Sequence, residues 1–101
     1  MSAAEAAGPS RLHVVRDDPA SRFEGYLDGQ HVATIDFVRA GELLVITHTV
    51  TAPAWRGRQI AARMTQFGLD DARQRGERVR AQCPYTAAFV ADHQEYRDLL
   101  A

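Results

Sequence analysis

The sequence predicts a mixed α/β domain of the α+β kind, in which a mostly antiparallel sheet carries one parallel crossover through a long helix. Three observations point there. Segments with strand character, separated by turn signals, fill the first half of the chain; one long helical pattern runs from Arg58 to Arg75; and a short strand-like run, Arg78 to Gln82, follows it. Strand, helix and strand form one crossover unit, so the strands Glu42 to Thr51 and Arg78 to Gln82 are expected to be parallel neighbours, with the first four strands antiparallel.

Leu12 to Arg16 reads as a short strand. Arg22 to Leu27 and His31 to Arg39 form a hairpin around Asp28-Gly29, a dipeptide suited to turns with positive φ. In the second arm Ala33, Ile35 and Phe37 alternate with Thr34 and Asp36, as a half-buried strand requires. Ala40-Gly41 makes the next turn. Leu43 to Thr51 (LLVITHTVT) holds no Gly, Pro or charge and is rich in β-branched residues, which marks the strand Glu42 to Thr51 as buried. In the helix, Ile60, Ala61, Met64, Phe67, Gly68 and Ala72 share one stripe at helical spacing and are expected to form core; Asp71 lies in the same stripe without an evident partner. Gly76 is placed to cap the helix after Arg73 and Arg75, whose charges suit the negative end of its dipole. Pro84 fits the first turn of a second helix, Tyr85 to Asp92, and a last helical turn is expected at Glu95 to Leu100.

A chain of 101 residues, 46% hydrophobic, can build one core but not two. Residues 11–101 are therefore read as a single domain behind a flexible tail at 1–10. No apolar run approaches the roughly 20 residues of a membrane span, and MSAAEAAGPS lacks the basic and apolar parts of a leader. One cysteine cannot close an internal disulfide, which fits a reducing, cytoplasmic compartment. His13 and His31 have no Cys or carboxylate spacing that suggests a metal. The net charge of −1 argues against a nucleic-acid binder. All 12 basic residues are nonetheless Arg, and seven of them fall between Arg56 and Arg80 against three acids. That run is either the solvated face of a helix or a local field for a polyphosphate.

The nine residues Pro53-Ala54-Trp55-Arg56-Gly57-Arg58-Gln59-Ile60-Ala61 favour the second reading. A helix normally covers its first N–H groups with Ser, Thr, Asp or Asn and favours acids in its first turn, whereas this one offers Arg56, Gly57 and Arg58. Strand, glycine-containing turn and a helix start open to anions is how proteins hold a phosphate or pyrophosphate.

This turn resembles motif A of the Gcn5-related N-acetyltransferase (GNAT) superfamily, Arg/Gln-x-x-Gly-x-Gly/Ala. Arg56 opens the pattern, Ile60 and Ala61 close it, and Gln59 stands where the family has its central Gly. His48-Thr49, Cys83-Pro84-Tyr85 and His93-Gln94-Glu95-Tyr96 are similar, in order and spacing, to the small YjdJ-like or NATD1-like subfamily. The resemblance implies a truncated GNAT fold and an N-acetyltransferase that moves an acetyl group from acetyl-coenzyme A to an amine. It also implies that backbone around Val50 and Thr51 aligns the pantetheine arm and that N–H groups from Arg56 to Ala61, Gly57, Arg58, Gln59 and Ile60 among them, bind the pyrophosphate. Full GNAT domains place two helices between their first two strands; here only Asp17 to Ser21 stands there, which suits a protein or peptide amine or an acceptor delivered by a partner.

Acetyl transfer needs a base, an oxyanion donor and a proton for the leaving thiolate. His48 is the candidate base, with an ordinary pKa near 6.5; as a lone His on the strand face of Leu44, Ile46 and Val50 it can equally be a packed core residue. Cys83, ahead of Pro84 at a helix start, is a candidate nucleophile through an acetyl-cysteine, or a small buried hydrophobe that ends a strand. Tyr85 can protonate the thiolate; the position where many relatives carry that Tyr holds Phe89. No metal is expected. The competing function is a non-catalytic acyl-coenzyme A-binding or sensing module, which Phe89 and the missing acceptor wall favour.

Overall fold

The structure, a computed structural model, describes residues 11–101; the tail expected at 1–10 lies outside the described residues. Five strands form one sheet in chain order: β1 (Leu12–Asp17), β2 (Arg22–Leu27), β3 (Gln30–Ala40), β4 (Leu43–Thr51) and β5 (Arg78–Ala81). β1 to β4 pair antiparallel, and β5 runs parallel to β4 from Leu43↔Arg78 to Ile46↔Ala81. Helix α1 (Ile60–Gln74) makes the crossover, and α2 (Pro84–Asp92) follows β5. The mixed sheet with its single parallel pair is the one the sequence predicts. Among the described residues no helix is long and apolar enough to cross a membrane.

Local chemistry sets the boundaries. Asp28 and Gly29 both take positive φ, 50° and 83°, as the tight β2–β3 turn needs. α1 starts at Ile60 and not at Arg58, because Gly57 and Gln59 sit at φ 79° and 64° and cannot belong to a right-handed helix. Its end is capped by paired bonds, Glu77 N–H to Ala72 O at 2.9 Å and Gly76 N–H to Arg73 O at 3.2 Å. The last helical turn is a 3₁₀ segment, Gln94–Leu99. The buried stripe of α1 is Ile60, Met64, Thr65, Gly68, Leu69 and Ala72. Ala61 is only half-buried and Phe67 is exposed, its ring edge-on to Phe23 with centroids 6.2 Å apart. The stripe is thus turned toward Thr65 and Leu69 relative to the expected one.

α1 lies on the sheet face that carries Phe23, Ile35, Phe37, Leu44, Ile46 and Val79. A Cβ on Gly68 would stand 3.2 Å from the Phe23 ring and one on Gly25 would stand 2.5 Å from Met64 Sδ, so these two glycines let helix and sheet approach. At one end of this core the Arg16 guanidinium is buried against the rings of Phe23 and Phe37, at 5.6 and 5.1 Å. It donates to Asp18 at 2.8 Å, to Asp71 at 2.9 Å and to both oxygens of Glu77 at 2.9 and 2.8 Å. Asp71, unpartnered in the sequence pattern, therefore meets an arginine from β1.

The decisive irregularity is in β4. His48 faces Asp36 and Ile46 faces Phe37, so two steps on β4 match one on β3 and Thr47 is a β-bulge. Because strand side chains alternate, one extra residue exchanges the two faces beyond it. Leu44 and Ile46 point to α1, but after the bulge Thr49 and Thr51 do so, while His48 and Val50 turn to the opposite face. The expectation that His48 shares a face with Leu44 and Ile46 is corrected by this bulge, and His48 is exposed. That opposite face, with Val15, Val38 and Val50 exposed, carries no helix among the described residues, and only residues 18–21 separate β1 from β2.

Candidate functional site

Parallel pairing stops at Ile46. The N–H groups of Gln82 and Cys83 both donate to Ile46 O, at 3.0 and 2.9 Å, which turns the chain away from β4 into α2. From Thr47 to Thr51 β4 therefore has no β5 partner, and the two strands part like an opened pair of blades. A cleft of about 490 Å³ lies against this stretch, lined by Thr49, Val50, Thr51, Trp55, Arg56 and Gly57, by Gln59 to Ala62, and by Tyr85.

The turn below it is shaped by its conformation. A 3₁₀ turn at Pro53–Trp55 ends when Arg56 N–H donates to Pro53 O at 3.4 Å, so this N–H is turned into the loop. Arg56 Nε donates to Thr51 O at 3.3 Å. The Arg58 guanidinium stands over the Trp55 ring at 4.9 Å. Gln59 caps α1 in the left-handed conformation without a side-chain bond, and no acid stands in the first turn. The first helical bond is Arg63 N–H to Gln59 O at 3.0 Å, which leaves the N–H groups of Ile60, Ala61 and Ala62 at the positive end of a 15-residue helix, facing the cleft.

At the top of the gap, Cys83 is buried and its thiol donates to Thr49 Oγ1 at 3.5 Å. Burial pushes the Cys83 thiol up, but the Thr49 hydroxyl and the N–H groups of Thr86 and Tyr85 at the start of α2 outweigh it, and the net shift is downward. Thr86 is fully buried, and its Oγ1 has no hydrogen-bond partner among the described residues. Tyr85 is 41% exposed at the cleft; partial burial of its phenol raises its pKa, so it keeps its proton at neutral pH. Phe89 stacks on the His93 ring at 3.9 Å, and His93 Nδ1 bonds Phe89 O at 2.8 Å.

Of the residues singled out from the sequence, Val50, Thr51, Arg56, Gly57, Gln59, Ile60, Ala61 and Tyr85 line one cleft. Arg58 borders it through Trp55, Cys83 lies beneath it beside Thr49, and His48 points to the open face of the sheet. Thr49, Trp55, Ala62 and Thr86 were not among the sequence candidates. Thr49 alternates with Val50 on the same strand, and Trp55 precedes Arg56 in the turn; Thr86 stands three residues after Cys83, the spacing of one helical turn. Among the described residues no group of three or more His, Cys, Asp or Glu is arranged to hold a metal ion.

The profile of a family described as GCN5-related N-acetyl-transferase matches residues 22–99. Among solved structures, the chain is similar to a GCN5-like protein from Staphylococcus aureus determined by NMR, with a TM-score of 0.65, 17% identity, and coverage of 91% of this chain and 90% of that one. It is also similar to the ribosomal-protein-S18-alanine N-acetyltransferase of Escherichia coli, with a TM-score of 0.56, 12% identity, and coverage of 80% of this chain and 49% of that one. At these identities the likeness is one of fold, and the chain spans about half of the Escherichia coli enzyme. No curated protein matches the chain by sequence.

Proposed function

The chain belongs to the GCN5-related N-acetyltransferase family, and from that membership we propose that it binds acetyl-coenzyme A in the opening between β4 and β5 and transfers the acetyl group to an amine of a protein or peptide. The observation that carries this reading is the cleft in which three N–H groups at the start of α1, unbonded among the described residues, border the same space as the edge of β4 that β5 leaves unpaired. The helix start, with Arg56 beside it, suits a pyrophosphate. The edge of β4 beyond Thr47 offers backbone groups to the amides of a pantetheine arm, as a further strand would.

In this arrangement the thioester reaches the gap between Thr49 and Cys83. The amine nitrogen bonds to the carbonyl carbon, the carbon–sulfur bond breaks, the amine proton passes to a base, and Tyr85 gives its proton to the leaving thiolate. His48 stands on the open face of β4, the side from which a polypeptide can approach because no helix lies between β1 and β2. A small acceptor needs enclosure, and among the described residues that face has none. The lowered Cys83 thiol favours a second route, in which its thiolate takes the acetyl group with release of coenzyme A and then yields it to the amine.

The test is thermal unfolding with and without acetyl-coenzyme A, paired with intact mass spectrometry. A ligand at 100 times its Kd should stabilise the fold by about 2.7 kcal/mol. Gly57→Val should remove that gain, because φ 79° excludes a β-branched residue while no atom within 4 Å obstructs its Cβ. A wild-type protein with no ligand-induced rise sinks the cofactor site; binding without turnover on any peptide amine makes the chain an acyl-coenzyme A-binding module.

A further inference from the structure

Cys83 is the single cysteine of the sequence, so no disulfide can close within these 101 residues. Its sulfur is buried where β4 and β5 part, one hydrogen bond behind the wall of the cleft: the thiol donates to Thr49 Oγ1 at 3.5 Å, and Thr49 lines the cleft. Tyr85, two residues further on, lines it as well.

An independent sign comes from Thr86. It is 0% exposed, and among the described residues its Oγ1 is the one buried side-chain polar atom without a hydrogen-bond partner. Such a group is costly, and valine would fill the same space without the cost. Cys83, one helical turn earlier, supplies the missing acceptor in its charged form. Its proton is turned toward Thr49, and once that proton leaves, the Thr86 hydroxyl is among the groups that favour the thiolate. The unpaired hydroxyl therefore belongs to a pocket for a sulfur anion and not to the packing of α2.

We propose that Cys83 is a modification site for coenzyme A itself, at which the Cys83 thiolate, held between the Thr49 and Thr86 hydroxyls, exchanges with coenzyme A disulfide and becomes joined to coenzyme A. The modification rests on the reading that coenzyme A occupies the cleft, since an arm laid along β4 then ends at Thr49 and brings its sulfur to Cys83. The Cys83 sulfur attacks one sulfur of the disulfide; the old S–S bond breaks, a new one forms, and the second coenzyme A leaves as a thiolate that takes a proton from water. Cys83 is oxidised and the departing sulfur is reduced, so no further oxidant is needed. The cofactor is then tethered in its own cleft, which shuts the site until a free thiol reverses the exchange. Thr86 is a positioning residue in this step, acting through the sulfur.

The full chain is incubated with coenzyme A disulfide, or with glutathione disulfide at the same concentration, and followed by intact mass spectrometry. Coenzyme A disulfide should modify the peptide containing Cys83 roughly ten times faster than glutathione disulfide does, and excess acetyl-coenzyme A should suppress the reaction. The adduct should no longer gain thermal stability from acetyl-coenzyme A, and dithiothreitol should restore that gain. Thr86→Val should melt no lower than the wild type yet react roughly ten times more slowly, while Thr86→Ser keeps the wild-type rate. A wild-type protein that acetyl-coenzyme A stabilises but that forms no adduct overturns the modification and leaves the cleft reading standing; absence of both overturns the two together. Equal rates with the two disulfides, or a Thr86→Val protein as fast as the wild type, would each overturn the proposal, the first in favour of a merely accessible thiol.

Discussion

Arg16→Met should be the most damaging substitution remote from the cleft, and its cost can be worked from the geometry. The guanidinium side chain is 3% exposed and serves three carboxylates, but these do not depend on it equally. Asp71 keeps Arg75 at 2.8 Å, and Asp18 keeps Arg39 and Arg75 at 3.6 and 3.8 Å. Glu77, 7% exposed, would retain only Arg39 Nε at 3.8 Å. Stranding a buried charge costs about 3–5 kcal/mol, and this residual contact places the loss near the lower end. For a chain of about 100 residues, a loss of about 3 kcal/mol lowers Tm by roughly 12–24 °C. Urea denaturation of the wild type, Arg16→Met and the double variant Arg16→Met/Glu77→Met decides the matter, because removing both charges should restore most of the loss. A single variant less than about 1 kcal/mol weaker than wild type, or a double variant weaker than the single one, would refute the assignment of the cost to Glu77. The same cluster gives a pH dependence. Arg16 holds the Asp18 carboxyl below its ordinary value of 3.8, so this contribution is complete above that value and is lost as pH falls through the lowered one.

Three further outcomes test the cleft. His48→Ala should leave the thermal response to acetyl-coenzyme A intact and slow turnover at least tenfold, about 1.4 kcal/mol in the transition state; equal turnover removes it as the base. Incubation with acetyl-coenzyme A and no acceptor should add one acetyl group, released by hydroxylamine, to the peptide containing Cys83, and an unmodified peptide together with full activity in Cys83→Ala would exclude the covalent route. Gln59→Gly should stabilise the protein by up to about 1 kcal/mol in urea, since a left-handed residue with a Cβ is strained by roughly 1–2 kcal/mol and glycine gives back part of that gain as entropy; a destabilised Gln59→Gly protein would mean that the glutamine side chain supports the turn.

What could be read from the sequence was what is local. The Asp28-Gly29 turn, the alternation in β3 and the uncapped start of α1 each announce themselves within a few residues, and together they give the sheet, the crossover and most of the cleft wall. The parts that could not be read depend on partners far along the chain. Asp71 meets Arg16 across 55 positions, and nothing near either residue marks the pair. Thr47 looks like any other β-branched residue in LLVITHTVT, yet as a bulge it reverses the alternation, which is why His48 fits an apolar face on paper and lies outside it in the fold. Gln59 shows the opposite case, a local departure from the family pattern whose effect is conformational: the residue takes the left-handed geometry that glycine normally serves.

The bulge at Thr47 has a further consequence for how this strand can change. It acts as a phase break, dividing β4 into a first stretch answerable to the packing of α1 and a second answerable to the cleft. Loss of that one residue would close the bulge and set His48 directly after Ile46, so regular alternation would keep His48 and Val50 on the open face, Thr49 and Thr51 on the side of α1, and Leu44 and Ile46 where they are. A single-codon deletion at 47 would thus preserve both the wall of the cleft and the interior, whereas the same deletion upstream, with the bulge kept, would turn core side chains such as Leu44 out to water.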